Sequence, residues 1–198
     1  MANLTLAEQY TLRAWTGRVV GEVLSEVYGV DTLGIVTNKT FICSSLVGGI
    51  EAAFLSKRGG LSRVITAITE TPDDAEKAVE VLKEADFIML AYGGEADGPT
   101  NKALTEAFLK AATKAELPAD YFFHVRIWVP GFVKDVVSSN GEIAEHLEAK
   151  SNGTFTFDLD KGLFIFHSVD VAGGEIITEP IMNVPLTYEH LDLLKRSL

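Results

Sequence analysis

Two short stretches of the chain carry residues whose types and spacing could do chemistry. The first is Gly93-Gly94-Glu95-Ala96-Asp97-Gly98-Pro99-Thr100-Asn101. Its three glycines let backbone approach a ligand closely. A helix opening at Thr100 or Asn101 would present free N–H groups beside them. The spacing fits neither the dinucleotide fingerprint nor the P-loop, and the loop holds no lysine. Glu95 and Asp97 would repel a phosphate; they suit an amine, sugar hydroxyls or a hard cation. The plainer alternative is a capped surface loop whose glycines are turn residues. The second stretch is residues 121–129. Read as a strand, it sets Phe123, Val125, Ile127 and Val129 on one face and Phe122, His124, Arg126 and Trp128 on the other. Imidazole, guanidinium and indole in line could hold an anionic or aromatic group, with His124 as acid/base and Arg126 as carboxylate clamp. The same face would also serve as a subunit interface, or Arg126 could pair with one of the 28 acidic residues.

Other reactive side chains point to less. Cys43 lies at a possible helix start, which would favour a thiolate. Its neighbours Phe41, Ile42 and Leu46 favour a buried thiol acting as a small hydrophobe. His167 shares a strand face with Leu163, Ile165 and Val169 and reads as a satisfied core histidine. His146 and His190 fall on helical segments without ligand spacing. With one cysteine and no HxH or HxxxH pair, neither a local transition-metal site nor a disulfide is expected. No GxSxG elbow is present. No particular cofactor is indicated.

The elements that must position these residues are legible from periodicity. Leu12, Trp15, Val19, Val23 and Val27 give residues 4–28 the apolar stripe of a helix ending near Gly29, with Trp15 in the core or at an interface. Residues 33–37 read as a strand, Asn38-Lys39 as a turn and 40–43 as a strand pairing back. Ser44 would cap a helix over 46–57, closed by Gly59-Gly60. Gly48 and Gly49 cost that helix roughly 2 kcal/mol against alanine, which close packing on another backbone would offset. Residues 63–68 form a strand, and Thr71-Pro72-Asp73-Asp74 starts a helix that buries Ala75, Ala78, Val79, Leu82 and Ala85. Residues 87–92 are the next strand. A helix buries Leu104, Ala107, Phe108 and Ala111 and stops at Leu117-Pro118. Residues 132–150 are helical with a break at Ser138-Ser139-Asn140-Gly141. Strands at 154–159, 163–171 and 175–184 follow, turning at Asp160-Lys161-Gly162 and Gly173-Gly174. Thr187 caps a closing helix.

The fold class that follows is α/β. A three-layer mixed sheet combines a parallel βαβαβ part (about 62–129) with a C-terminal antiparallel meander (about 153–184), in one domain over 1–198. Ligands of such sheets bind beyond the carboxyl ends of the parallel strands, which is where the 93–101 loop falls. The chain has 198 residues, with 17 Lys plus Arg against 28 Asp plus Glu and a net charge of −11. That balance disfavours nucleic acid and anionic membrane as partners. The N-terminus, Met1-Ala2-Asn3-Leu4-Thr5-Leu6-Ala7-Glu8, shows no leader pattern, no apolar run reaches the ~20 residues of a span, and a cytoplasmic protein is expected.

Leu33-Gly34-Ile35-Val36, Leu46-Val47-Gly48-Gly49-Ile50-Glu51-Ala52-Ala53 and the segment 87–94 loosely resemble bacterial microcompartment shell domains over about 60 residues; the likeness ends at Pro118. It implies an assembly subunit. The leading expectation is instead a homo-oligomeric domain that binds a small polar molecule through Gly93, Gly94, Glu95, Thr100 and Asn101. Acid–base catalysis by Asp97, His124 and Arg126 follows if those three share the loop's edge. A structural subunit with the Gly48/Gly49 helix and the Trp128 face as contact surfaces is the alternative.

Overall fold

A computed structural model of the protein describes residues 4–60 and 62–197. Met1-Ala2-Asn3, on which part of the leader reading rests, lies outside them. Helix α1 (Leu6–Glu26) opens with a capping box: Thr5 Oγ1 accepts from the Glu8 N–H at 3.3 Å, and the Glu8 carboxylate accepts from the Thr5 N–H at 2.8 Å. Strand β1 (Thr32–Asn38) follows, then helix α2 (Phe41–Arg58). The strand expected at 40–43 is therefore the first turn of α2. Its cap is Thr40, whose Oγ1 accepts from the Cys43 N–H at 3.1 Å, and not Ser44. A hairpin return was never open to this segment, because both edges of β1 are taken by β2 (Arg63–Thr69) and β3 (Phe87–Leu90).

Helix α3 (Ala75–Leu82) carries the chain from β2 to β3, and α4 (Gly98–Lys114) carries it on to β4 (Asp120–Phe123). A one-turn helix α5 (Val125–Trp128), α6 (Phe132–Ser139) and α7 (Gly141–Glu148) then lead to β5 (Asn152–Asp158). Asn140 Oδ1 accepts from the N–H groups of Glu142 and Ile143, which accounts for the break between α6 and α7. β6 (Leu163–Ala172) and β7 (Glu175–Pro185) complete a meander, and α8 (Tyr188–Arg196), capped by Thr187, closes the described chain. All seven strands form one sheet in the order β2-β1-β3-β4-β5-β6-β7. The first five run parallel, and β5-β6-β7 pair antiparallel. The protein is thus a mixed α/β fold of the class expected, with the parallel part extending to β1 and β5. No helix among the described residues is long and apolar enough to cross a membrane.

Successive strand residues feed two cores. Gly34 and Val36, Ile88 and Leu90, and Tyr121 and Phe123 face the layer of α3, α4, α6 and α7. Leu33 and Ile35, Phe87 and Met89, and Phe122 face α1 and α2. α8 packs Leu193 and Leu194 beside Leu12 of α1, with Phe157 and Leu159 against them. Between α1 and α2 the backbones nearly touch. A Cβ on Gly17 would lie 2.2 Å from the Leu46 carbonyl, one on Gly21 2.4 Å from that of Ile50, and one on Gly49 2.5 Å from that of Ala14. Gly49 on the slim side of α2 is thus spent on α1 of the same chain, while Gly48 faces open space.

Candidate functional site

The segment after β4 departs most from its expected form. Phe123 is the last residue to pair with β3, opposite Leu90. β3 ends at Leu90, so beyond Phe123 the ladder loses its partner on that side, and the chain winds into α5 although β5 runs on to Asp158 and Val125, Ile127 and Trp128 favour a strand. The Ile127 and Trp128 N–H groups donate to the His124 carbonyl at 3.0 Å each. The strand face that was to align His124, Arg126 and Trp128 therefore does not exist. An apolar run this short suits either element, and the end of the neighbouring strand decides it. Trp128 stacks on Phe123 within the chain, with ring centroids 6.0 Å apart.

The turn sets His124 and Arg126 at the carboxyl edge of the sheet, in the wall of a pocket of about 300 Å³. α1 contributes Arg13 and Thr16; the start of α5 and the residues after it contribute Val125, Val129 and Pro130. Thr156 and Phe157 come from the end of β5 and Leu159 from just after it, and Leu194 comes from α8 and Ser197 from its C-cap. Among the described residues the lining holds no carboxylate side chain. His124 is buried. Its Nδ1 lies 3.1 Å from the Tyr92 carbonyl, a contact that requires the proton on Nδ1. Nε2 is then the ring's acceptor, with no hydrogen bond among the described residues, and the Arg126 N–H at 3.4 Å is only a long contact to Nδ1. Burial, reinforced by the charge of Arg13, holds the imidazole neutral, its pKa pressed down to about 3.

The arginines divide sharply. The sequence has six. Arg18, Arg58, Arg63 and Arg196 each pair with a carboxylate: Glu22, Asp31, Glu84, and both Glu8 and Asp192, respectively. Arg13 and Arg126 pair with none among the described residues, and both line this pocket. Arg13 is half-buried, and burial, then the nearby Arg126 charge, pushes its pKa down. Arg126 sits exposed at the mouth.

The loop 93–101 is turned inward. Asp97 is the N-cap of α4, its carboxylate accepting from the Thr100 N–H at 2.8 Å, which also lowers its pKa. The helix opens at Gly98 rather than at Thr100 or Asn101. Asn101 is buried and donates to the Ala96 carbonyl at 3.1 Å. The Gly93 carbonyl accepts from Asn38 Nδ2 at 3.0 Å. Gly94 has φ +64°, and a Cβ there would sit 2.5 Å from Thr40 Oγ1 and 2.6 Å from Cys43 Sγ. The crevice between β1 and β3, where strand order reverses, is thus filled by the loop's own backbone. Gly93 abuts Arg126 and His124, and that is the loop's link with them. Neither Glu95, Asp97, Thr100 nor Asn101 lines the pocket.

The remaining candidates are structural. Cys43 is buried, its Sγ 3.1 Å from Asn38 Oδ1, and burial raises its pKa. His167 Nε2 lies 2.8 Å from Thr156 Oγ1, and His146 Nε2 lies 2.9 Å from the Tyr121 hydroxyl. Thr16 donates to the Leu12 carbonyl, so its oxygen accepts from Nε2 of buried His190 at 3.1 Å. Trp15 meets the His190 ring edge-on. Among the described residues no group of three His, Cys, Asp or Glu side chains is placed to hold a metal ion. Arg13 and the walls from β5 and α8 escape periodicity reasoning. The signal for Arg13 was its place one turn before Gly17 and Gly21 on the same row of α1, the row that packs closely on α2.

These features define a doubly wound α/β protein with a pocket at the carboxyl ends of β4 and β5 that Arg13 and Arg126 both line. A family model described as "Uncharacterized protein" matches residues 9–193, and the chain belongs to that family. No curated protein matches it in sequence. Among solved structures it is similar to an ABC-transporter solute-binding protein of R. palustris in complex with benzoate (14% identity, 88% of this chain and 65% of that one, TM-score 0.49). It is also similar to the leucine-, isoleucine-, valine-, threonine- and alanine-binding protein of Brucella ovis in a closed conformation (12%, 87% and 63%, 0.49). A third is a branched-chain amino acid ABC transporter protein of Silicibacter pomeroyi (8%, 73% and 34%, 0.46). The chain spans less than two thirds of the length of each.

Proposed function

We propose that the protein binds a small molecule in the pocket at the carboxyl ends of β4 and β5. The observation that carries this reading is the pocket itself: about 300 Å³, with apolar walls and a few convergent polar groups, at the sheet edge where α/β proteins place ligands. Binding is favoured over acid–base catalysis. A general base works best with a pKa near the operating pH, and His124 is held near 3. Asp97, the proposed partner carboxylate, is spent on a helix cap.

The test is a thermal-shift screen of small metabolites on the wild type and on Val129→Trp, which places an indole at the exposed rim without entering the core. Ligands that raise the wild-type melting temperature and fail on Val129→Trp are the expected result. Hits indifferent to Val129→Trp, or abolished by Asp97→Asn, would move the site out of this pocket.

A further inference from the structure

We infer that the ligand of this pocket is an organic anion, a carboxylate joined to an apolar body, with the carboxylate held between Arg13 and Arg126. This rests on the pocket reading above and names its ligand class. In a chain of net charge −11, the pairing of four arginines and the isolation of two is a selective arrangement. The isolated two line the same concavity, where no carboxylate side chain is found among the described residues. Like charges brought together and partly desolvated are costly until a counter-charge arrives. A carboxylate between two guanidiniums relieves both and accepts charge-assisted hydrogen bonds from each.

The rest of the lining fixes what the carboxylate is attached to. Gly93 lies against Arg126 and His124, so the charged end faces the β3 side. Across the pocket, Phe157, Leu159 and Leu194 form a wall from β5 and α8 that suits an aliphatic chain or a ring. His124, neutral and with Nε2 free to accept, adds a hydrogen-bond acceptor and no opposing charge. An amine ligand would meet two guanidiniums and no carboxylate. A bare inorganic anion would leave the apolar wall unused.

The experiment is isothermal titration with phenylacetate and hexanoate, set against phenylacetamide, hexanamide, hexylamine and inorganic phosphate. It uses wild type, Arg126→Gln, Arg13→Gln and Val129→Trp. The acids should bind and weaken with added salt, the amides at least ~10-fold more weakly. Arg126→Gln, at an exposed position that folding tolerates, should lower acid affinity ~10-fold or more, and Arg13→Gln likewise. Amides or hexylamine binding as well as the acids, with all binding lost in Val129→Trp, would overturn the anion inference and leave the small-molecule pocket standing. Phosphate binding alone would overturn the apolar-body requirement. Acid binding that survives both Arg126→Gln and Val129→Trp would overturn the pocket reading as well.

Discussion

The segments that leave the sheet after β3 and after β4 begin side by side at the same edge, yet they handle their polar groups in opposite ways. After β3, most of the loop's polar groups are spent within the fold, though the buried Asn101 Oδ1 has no hydrogen bond among the described residues. Asp97 caps α4, Asn101 ties down Ala96, Gly93 takes a hydrogen bond from Asn38, and Gly94 presses against Thr40 and Cys43. After β4, the chain buries a neutral histidine and leaves Arg126 without a carboxylate, facing an equally unpaired Arg13. Glycines and carboxylates drew attention to the first segment because their types suit chemistry. What separates a structural segment from a candidate site is whether folding has already satisfied those groups. By that criterion the second segment, with its unpaired guanidinium beside a pocket, is the stronger candidate for the proposed site.

Acid should expose the difference most strongly. His124 titrates near 3 in the folded protein against about 6.5 in the unfolded chain, so its folded-state pKa is depressed by burial of a base. Between those values the unfolded chain takes up a proton that the folded protein refuses. The contribution is fully present above pH ~6.5 and is lost on acidification at roughly 1.4 kcal/mol per pH unit. His190, at about 4, acts in the same direction down to that value. Asp97, whose pKa is lowered, keeps its contribution until pH falls through the carboxylate range. Urea denaturation should therefore show stability declining from pH 6.5 to 5 through the pocket-side histidines while the loop carboxylate is silent. His124→Gln should flatten part of that slope. A wild-type profile level across this window would mean that His124 is not buried and neutral.

The next effect belongs to the loop. Gly94→Ala forces a side chain into the left-handed region and drives its Cβ toward Thr40 Oγ1 and Cys43 Sγ. Strain of ~1–2 kcal/mol for the backbone plus the displaced contacts gives an expected loss of about 3 kcal/mol, read from the midpoint of urea unfolding. Affinity for a pocket ligand in the protein that remains folded should change much less. A Gly94→Ala protein of wild-type stability would show that the crevice between β1 and β3 has room, and would reopen it as a ligand site.

Most of the fold was legible, because its signals are local. The alternating apolar strands, the Thr71-Pro72 start, the Gly162 and Gly173-Gly174 turns and the Thr187 cap each act within a few residues. The errors share one cause. Residues 40–43 and 124–128 carry strand-favouring side chains; the first meets a strand whose two edges are already taken and the second loses its β3 partner after Leu90, facts about topology. The site was half legible for the same reason. His124 and Arg126 stand out by type. Arg13 lies more than a hundred positions away on a helix legible only by its apolar stripe, and the walls from β5 and α8 meet it only once α8 docks on α1. The unpaired state of the two arginines is a property of all 28 acidic positions at once, which no window of sequence contains.

The smallest expected effect is the most telling about the loop. Asp97→Asn removes the charge and keeps a side-chain oxygen able to accept from the Thr100 N–H, since asparagine caps helices about as well as aspartate. If Asp97 serves α4 alone, the variant should unfold within a small margin of wild type and bind pocket ligands with unchanged affinity. It should also lose the part of the acid response that lies in the carboxylate range. Asp97→Ala should lose the cap and with it a measurable part of the stability, still without touching affinity. The contrast between the two substitutions isolates the hydrogen bond from the charge. A ligand shift abolished by Asp97→Asn, with the fold intact, would require a carboxylate at position 97 and would return the site to the segment after β3.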